Sequence, residues 1–136
     1  MSEKSEKIAE LAKYRFEKAQ VALKAAKLMI DTEDYAFANN RSYYAIFHAL
    51  RAVLALDEFD SKKHGMIIGE FRRRYIKTGL FNTEISDMIG QAFEIRNDSD
   101  YEDMYIASKS DAVEQVKNAE FVIGKVEQYL KGKNIL

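Results

Sequence analysis

The chain has 136 residues, a length that fits one domain and is too short for two separate hydrophobic cores. It contains no cysteine and only two histidines, which excludes disulfide frameworks, cysteine-ligated metal sites and thiol nucleophiles. Its 21 basic residues nearly cancel its 22 acidic residues, so overall charge does not favour a nucleic-acid or membrane partner, and any such role requires a local patch.

The hydrophobic content of 47% against 32% charged residues is typical of a folded, water-soluble chain. No window approaches the roughly 18 consecutive apolar residues of a membrane span. Four of the first seven residues are charged, and no apolar run follows them. We therefore expect one cytoplasmic domain over residues 1–136, without a membrane partner.

The first two predicted helices carry much of the expected core. One covers Glu6 to Ile30, where alanines on the apolar stripe allow a neighbouring helix to approach closely. The acidic cluster of residues 31–34 ends it and can cap the next helix. That helix covers Asp34 to Glu58 and is apolar nearly all round, Phe37 included, which predicts a central, largely buried position.

Three further helices are predicted in the second half of the chain. Ser61 is the expected cap of a helix over Lys62 to Lys77, which Gly79 closes. Its apolar side is formed by Ile67, Ile68, Phe71 and Tyr75.

A fourth helix begins at Asn82 or Thr83 and ends near Arg96 or Asn97. The segment 98–107 is polar and non-periodic, which indicates a loop or a frayed helix end. Ser108 caps the last helix, whose apolar positions run to Leu130. Short connections between long amphipathic helices predict an all-α, antiparallel up-and-down bundle of about five helices, four long and one shorter.

Polar side chains on the second helix form a stripe opposite its apolar face. Arg41, Tyr44, His48 and Arg51 fall within a sector of about 80° at ~100° per residue. One interpretation is the solvated edge of a buried helix, with the two arginines paired to acids of the first helix. The other is a cationic, aromatic groove floor that binds substrate.

Two further features of the third helix carry possible chemistry. His64 begins its apolar stripe, either as a partly buried side chain with a hydrogen-bond partner or as a substrate-binding or general-base imidazole. Six basic residues against one acid between Lys62 and Lys77 can hold phosphates or form a solvated face. No metal-binding spacing involves either histidine, so we expect no metal and no cofactor.

Arg96 is the strongest single signal. It lies eleven residues after Ile85, about 20° from it around the helix axis, and so on the apolar stripe. An acidic segment follows, and the arginine could simply neutralise it and cap the helix C-terminus. That explanation accounts for the charge but not for its placement on the apolar face.

The segment 96–101 (RNDSDY) resembles the signature of HEPN domains, an arginine followed after four to six residues by histidine. The segment 41–50 (RSYYAIFHAL) resembles the R-x-Y-Y-A-x-F-H-A segment of the small prokaryotic HEPN proteins of the UPF0332-like group. The sequence around residues 63–79 is also similar to the third helix of that group. The similarity covers about residues 8–130, with the helices in the same order.

This resemblance implies a helical bundle that dimerises, with the arginine motif of each subunit in a shared cleft. Some members are metal-independent ribonucleases and several are toxins of toxin–antitoxin pairs. Many accompany a minimal nucleotidyltransferase encoded beside them, as its partner and in some pairs its modification target. In the ribonuclease chemistry, the arginine stabilises charge on phosphorus and the histidine moves the proton of the ribose 2′-hydroxyl.

The sequence departs from that catalytic pattern, because Tyr101, Glu102 and Asp103 occupy the positions where the motif histidine would lie. Arg96 and Asn97 carry over. Tyr101 can bind a phosphate oxygen, but with an ordinary pKa near 10 a tyrosine is a poor base at neutral pH. His48 or His64 could replace the histidine only if folding brings one close to Arg96.

Three hypotheses follow. The first is a homodimeric HEPN protein that binds nucleotide or RNA around Arg96, Asn97 and Tyr101, with metal-independent endoribonuclease activity weak or lost. The second is a non-catalytic partner of a nucleotidyltransferase, in which the segment 98–105 is docked or modified. The third is a helical dimer in which Arg96 is only structural.

Overall fold

The computed structural model describes residues 2–136, and every regular element within them is helical. The elements in chain order are α1 (Glu3–Asp31), α2 (Tyr35–Ala55), α3 (His64–Phe71), a π-helical turn (Arg72–Ile76), α4 (Thr83–Tyr101) and α5 (Lys109–Gly132). This confirms the predicted all-α class with about five helices.

Helices α1 and α2 form an antiparallel hairpin. Only residues 32–34 connect them, and Glu33 adopts a positive φ of 61° in that tight turn. Ala12, Ala19 and Ala26 of α1 are completely buried, because side chains this small let the backbones of the two helices approach closely. The hairpin therefore fixes which side chains of α1 and α2 lie beside one another.

Helix α2 is the centre of the bundle and packs against α1, α3, α4 and α5. Its side chains Ile46, Leu50 and Val53 are at most 1% exposed, which confirms the predicted central position. Phe37 departs from the prediction, since it is 60% exposed. It lies in the first turn of α2, on a face that no other part of residues 2–136 covers.

The third helix is shorter than predicted at its start and changes form at its end. Ser61 does not cap it: its hydroxyl accepts a hydrogen bond from the Lys63 amide at 3.1 Å, and its own amide donates to Asp60, so the helix begins at His64. After Phe71 the helix widens into the π turn, in which the Lys77 amide donates to the Arg72 carbonyl at 2.8 Å. Gly79, at φ 83°, reverses the chain.

Helix α4 is longer than predicted, because residues 98–101 continue it. Ser99 and Asp100 accept hydrogen bonds from Asn39 and Asn40 of α2 at 3.1 and 2.9 Å. These contacts across the bundle hold the last turn, which has no apolar periodicity of its own. The remaining loop, residues 102–108, agrees with the prediction, as does the cap of α5, where the Ser108 hydroxyl accepts from the Asp111 amide at 3.0 Å.

Candidate functional site

The side chain of Arg96 lies at the junction of α4 with α2 and is only 13% exposed. Its Nη2 donates to the Tyr44 hydroxyl at 3.0 Å. Its guanidinium carbon lies 5.3 Å from the ring centroids of Tyr43 and Tyr44 and 5.5 Å from that of Tyr101. We call Arg96, Tyr43, Tyr44, Asp100 and Tyr101 the Arg96 cluster.

One carboxylate contacts this arginine. Asp100 Oδ2 lies 2.9 Å from Arg96 Nε, an ion pair whose angle is too poor for a hydrogen bond, so Nε has no hydrogen-bond partner. The same oxygen accepts from Asn40 Nδ2 at 2.9 Å. Arg96 Nη1 makes no hydrogen bond within residues 2–136. The cation is therefore held in place by aromatic rings and one hydroxyl, and keeps donors for another group.

The pair Asn39 and Asn40 positions this cluster and was missed from the sequence. Asn39 is 1% exposed, and its side-chain amide donates to the hydroxyl of Ser99, which lies about one helical turn after Arg96 on α4. Both asparagines lie one helical turn before Tyr43 and Tyr44, so the spacing of four residues was the available signal. The ring of Tyr43, a buried residue of α2, also faces Arg96.

His64 approaches the cluster from α3. Its Nδ1 shares a hydrogen bond of 2.8 Å with the Tyr43 hydroxyl, and its ring stacks on Phe47 with the centroids 4.1 Å apart. Burial, followed by the charges of Arg96 and Arg51, lowers the pKa of His64. The imidazole is therefore neutral at pH 7 and, with Nδ1 engaged by Tyr43, has Nε2 available for another partner.

His48 lies on the other side of the aromatic group. Its ring centroid is 6.0 Å from that of Tyr44, and its Nδ1 is buried without a hydrogen-bond partner. Burial and then the charges of Lys18, Arg51, Arg41 and His64 lower the pKa of His48 to about 4. Neither histidine is hydrogen-bonded to Arg96. His64 is linked to Tyr43 and His48 neighbours Tyr44, and the guanidinium of Arg96 contacts both tyrosine rings.

Tyr43 is unsuited to proton transfer. Burial raises its pKa to about 12, although the charge of Arg96 opposes this. A phenol that titrates so far above neutral pH stays protonated and acts as a hydrogen-bond donor or acceptor.

The structure divides the polar stripe of α2. Arg41 lies with its guanidinium carbon 5.1 Å from the Tyr44 ring centroid, beside the Arg96 cluster. Arg51 instead pairs with Asp60 at 2.9 Å, and so does the buried Arg15 at 3.1 Å. The expectation that both arginines pair with acids of the first helix is therefore wrong. Arg51 pairs with Asp60 of the α2–α3 loop, and Arg41 donates to the amide oxygen of Asn40. Asn97 is half-buried and makes no side-chain hydrogen bond within residues 2–136.

The basic segment of the third helix does not form one patch. Arg73 and Arg74 pair with Glu70 at 2.6 and 2.7 Å, and Arg74 also lies 3.6 Å from Asp57. Arg72 turns toward α4 and donates to the Ser86 carbonyl at 2.9 Å. The arginines diverge because consecutive helical positions point about 100° apart.

Residues 2–136 contain no group of three or more histidine, aspartate or glutamate side chains placed to hold a metal ion. They also contain no helix that is both long and apolar enough to span a membrane.

Comparison with known proteins agrees with this architecture. The model of the HEPN domain family matches residues 12–129. The chain belongs to the HEPN family. Helices α1 to α5 and the whole Arg96 cluster lie in or overlap the matched range.

Individual HEPN relatives are similar along most of their length. A Methanocaldococcus jannaschii protein named a putative toxin is 32% identical, with 88% of this chain and 82% of the relative covered. A UPF0332 protein of Thermotoga maritima is 30% identical, with 96% of each chain covered. A second M. jannaschii protein with the name putative toxin is 27% identical over 83% of this chain and 84% of its own.

Proposed function

We propose that this HEPN protein is toxin-like and forms a homodimer that binds single-stranded RNA, or the phosphate of a nucleotide, at the Arg96 cluster. Its ribonuclease activity is weak or lost. The observation that carries the proposal is the state of Arg96. Its guanidinium is fixed among three tyrosine rings, contacts one shared carboxylate, and retains Nη1 for another acceptor.

The chemistry of the cluster suits this ligand. A guanidinium presents planar N–H donors that match two phosphate oxygens. Unpaired bases of single-stranded RNA stack on aromatic side chains, and Tyr101 offers a ring that is 69% exposed. Two relatives carry the name putative toxin, which supports a toxin-like role.

Weak cleavage follows from the missing histidine. Tyr101 stands in the first possible position of the motif histidine, and a phenol, unlike an imidazole, is a weak acceptor for the 2′-hydroxyl proton at pH 7. His64 is the better substitute of the two imidazoles, because its ring is neutral, half-buried and hydrogen-bonded to Tyr43 beside Arg96. Residual cleavage therefore depends on His64, without a metal.

RNA binding tests the proposal directly. Fluorescence anisotropy with a labelled single-stranded RNA should show that Arg96→Ala weakens binding by at least about tenfold, the loss of a charge-assisted contact to phosphate. Arg73→Ala is the matched control, since Arg73 is exposed and pairs only with Glu70. Equal affinity of the wild-type and Arg96→Ala proteins would overturn the proposal.

Two further measurements test its other parts. Light scattering after size exclusion should give the mass of two chains, and a monomer at micromolar concentration would contradict the homodimer. In EDTA, slow cleavage of the same RNA should disappear in Arg96→Ala and in His64→Ala. Persistence of cleavage in His64→Ala would remove this imidazole from the reaction.

A second candidate function is favoured by the loop after α4. Met104 and Ile106 are 92% and 90% exposed, within an acidic segment that also presents Tyr101. Large apolar side chains this exposed are typical of a surface that binds another protein. In this alternative, the segment is the docking or modification element for a nucleotidyltransferase encoded beside the HEPN gene.

Co-purification of the two proteins tests the alternative. A Met104→Ser/Ile106→Ser double variant should lose the nucleotidyltransferase and leave RNA affinity unchanged. Failure of the wild-type protein to retain any nucleotidyltransferase from its own genomic neighbourhood would exclude it.

A further inference from the structure

A second cationic surface adjoins the Arg96 cluster, in the groove between α1 and α2. The groove has a volume of about 310 Å³ and is lined by residues that include Tyr14, Glu17, Lys18, Val21, Arg41 and His48. Arg41 and Arg96 place their guanidinium carbons 5.1 and 5.3 Å from the same Tyr44 ring centroid. Arg41 of the groove and Arg96 of the cluster therefore neighbour each other at Tyr44.

The cations of this groove are not neutralised. Neither Lys18 nor Arg41 has a carboxylate within 4 Å in the part of the chain that the structure describes, Glu17 included. Arg41 uses Nε and Nη2 on the neutral Asn40 Oδ1, at 3.0 and 2.7 Å. Lys18 and Arg41 against Glu17 leave the groove with a net positive charge, which attracts an anion large enough to contact both cations.

His48 adds an unsatisfied polar atom to the same groove. Its Nδ1 is buried and has no partner, a state that costs free energy until a ligand or water supplies a hydrogen bond. The nearby positive charges of Lys18 and Arg41 contribute to the lowered pKa of His48. An anion between those cations would offset their effect and raise that pKa.

The rim of the groove offers a flat aromatic surface. Tyr14 is 58% exposed and Val21 is 69% exposed, and Lys18 Nζ lies 5.7 Å from the centroid of the Tyr14 ring. A cationic groove that tracks the phosphates, combined with an exposed ring on which a base stacks, is the usual construction of sites for single-stranded nucleic acid.

We propose that the groove formed by Tyr14, Lys18, Arg41 and His48 binds the phosphate and base that neighbour the Arg96-bound phosphate on the same single-stranded RNA. The inference rests on the proposed function and extends that RNA site from α2 and α4 onto α1. Lys18 and Arg41 hold the phosphate, His48 donates or accepts one hydrogen bond, and Tyr14 stacks on the base.

The salt dependence of RNA binding tests the phosphate contact. The probe is a fluorescein-labelled single-stranded RNA of about 12 nucleotides, within the range that one such surface covers. Lys18→Gln should weaken binding and reduce the slope of log affinity against log salt by about 0.7, the value for one phosphate contact on a single strand. Lys24→Gln removes the same charge from an exposed position of α1 outside the groove and should change neither quantity.

Two other variants test the base and the histidine. Tyr14→Ala should weaken binding at least about fivefold through lost stacking, whereas Tyr14→Phe should retain it. In wild-type protein, NMR titration should show the pKa of His48 rising when the RNA is present, and Lys18→Gln should remove that rise.

The outcomes separate this inference from the function on which it rests. If Arg96→Ala loses binding while Lys18→Gln and Tyr14→Ala bind normally, the groove proposal is overturned and the Arg96 site stands. If the groove variants lose binding and Arg96→Ala does not, the proposed role of Arg96 fails and the groove remains an RNA site. Binding of an acidic peptide with the same Lys18 dependence, without binding of RNA, would make the groove a protein-docking surface and overturn the inference.

Discussion

Arg15 and Arg96 are both largely buried arginines, yet their surroundings differ. Arg15 is 7% exposed and donates to the Arg51 carbonyl at 3.2 Å and to Asp60 at 3.1 Å. Asp60 also pairs with Arg51, so the charged groups around Asp60 compensate one another within the fold. Arg96 has one hydroxyl, one shared carboxylate and three aromatic rings around it.

The difference shows what burial of a charge does and does not indicate. A buried arginine whose hydrogen bonds go to carboxylate and carbonyl is explained by the fold, since the partners offset its desolvation. A guanidinium enclosed by rings, with a donor left over, is oriented without being fully satisfied. We therefore expect the Arg15 site to affect stability and the Arg96 cluster to affect binding.

The largest expected effect comes from Arg15→Ala. The substitution leaves the Arg51 carbonyl without its partner, removes one partner of Asp60 and opens a gap between α1 and α2. Together these should lower the free energy of unfolding by about 3 kcal/mol. Urea denaturation measures it, and RNA affinity of the folded protein at low temperature should stay within twofold. A stability equal to that of wild type would show that the two arginine sites do not differ in this way.

His48 lies between the two sites and gives a pH test. Its folded pKa of about 4 is below the ordinary value of 6.5, so the unfolded chain binds more protons between these values and stability falls as the pH drops from 6.5 toward 4. From pH 7 to pH 5 the free energy of unfolding should fall by about 1 kcal/mol, after allowance for solvent screening of a half-buried side chain.

The His48→Gln variant is the control for this titration. It cannot titrate, so His64, whose lowered pKa acts in the same direction, is the one histidine that still contributes to the pH dependence. Denaturation at pH 7, 6 and 5 should give a shallower dependence for the variant than for wild type. Identical dependences would show that His48 is protonated without penalty in the folded protein.

Sequence patterns predicted the helices well wherever an apolar stripe marks them. The alanine stripe of α1 and the buried face of α2 are local periodic signals, because burial follows directly from the spacing of apolar residues. The end of α4 carries no such signal. Its last turn is fixed by Asn39 and Asn40, some 60 residues away in the chain, and a contact of that kind is invisible to periodicity.

The candidate site was predictable in part for the same reason. Arg96 stands out as a charge on an apolar stripe, and Tyr44 lies on the polar stripe of α2. Their hydrogen bond, the contact of Arg96 with Asp100 and the departure of Arg51 to Asp60 depend on how the helices pack. Whether a charge is compensated depends on tertiary packing, and this is the property in which Arg15 and Arg96 differ.

Asp100→Asn should widen the difference between Arg15 and Arg96, because it removes the carboxylate that partly compensates the charge of Arg96. The substitution removes the carboxylate that pairs with the guanidinium and keeps an oxygen for Asn40 Nδ2. RNA affinity should rise about three- to fivefold, the effect of removing one competing, half-exposed charge. Asp87→Asn, an exposed change elsewhere on α4, should leave it unchanged. Weaker binding by Asp100→Asn would mean that the carboxylate's main role is to orient Arg96.

Tyr44→Phe is the smallest change that separates orientation of Arg96 from its charge. It removes the hydroxyl that accepts from Nη2 but keeps the ring 5.3 Å from the guanidinium carbon. Loss of one such hydrogen bond should weaken RNA binding about twofold to fivefold, since the cation remains and only its direction is less fixed. Tyr35→Phe, at the first residue of α2 and outside the Arg96 cluster, removes a hydroxyl that makes no hydrogen bond within residues 2–136 and should bind as wild type. If Tyr44→Phe binds as tightly as wild type, the aromatic rings alone orient Arg96; if it binds as poorly as Arg96→Ala, the hydroxyl itself contacts the phosphate.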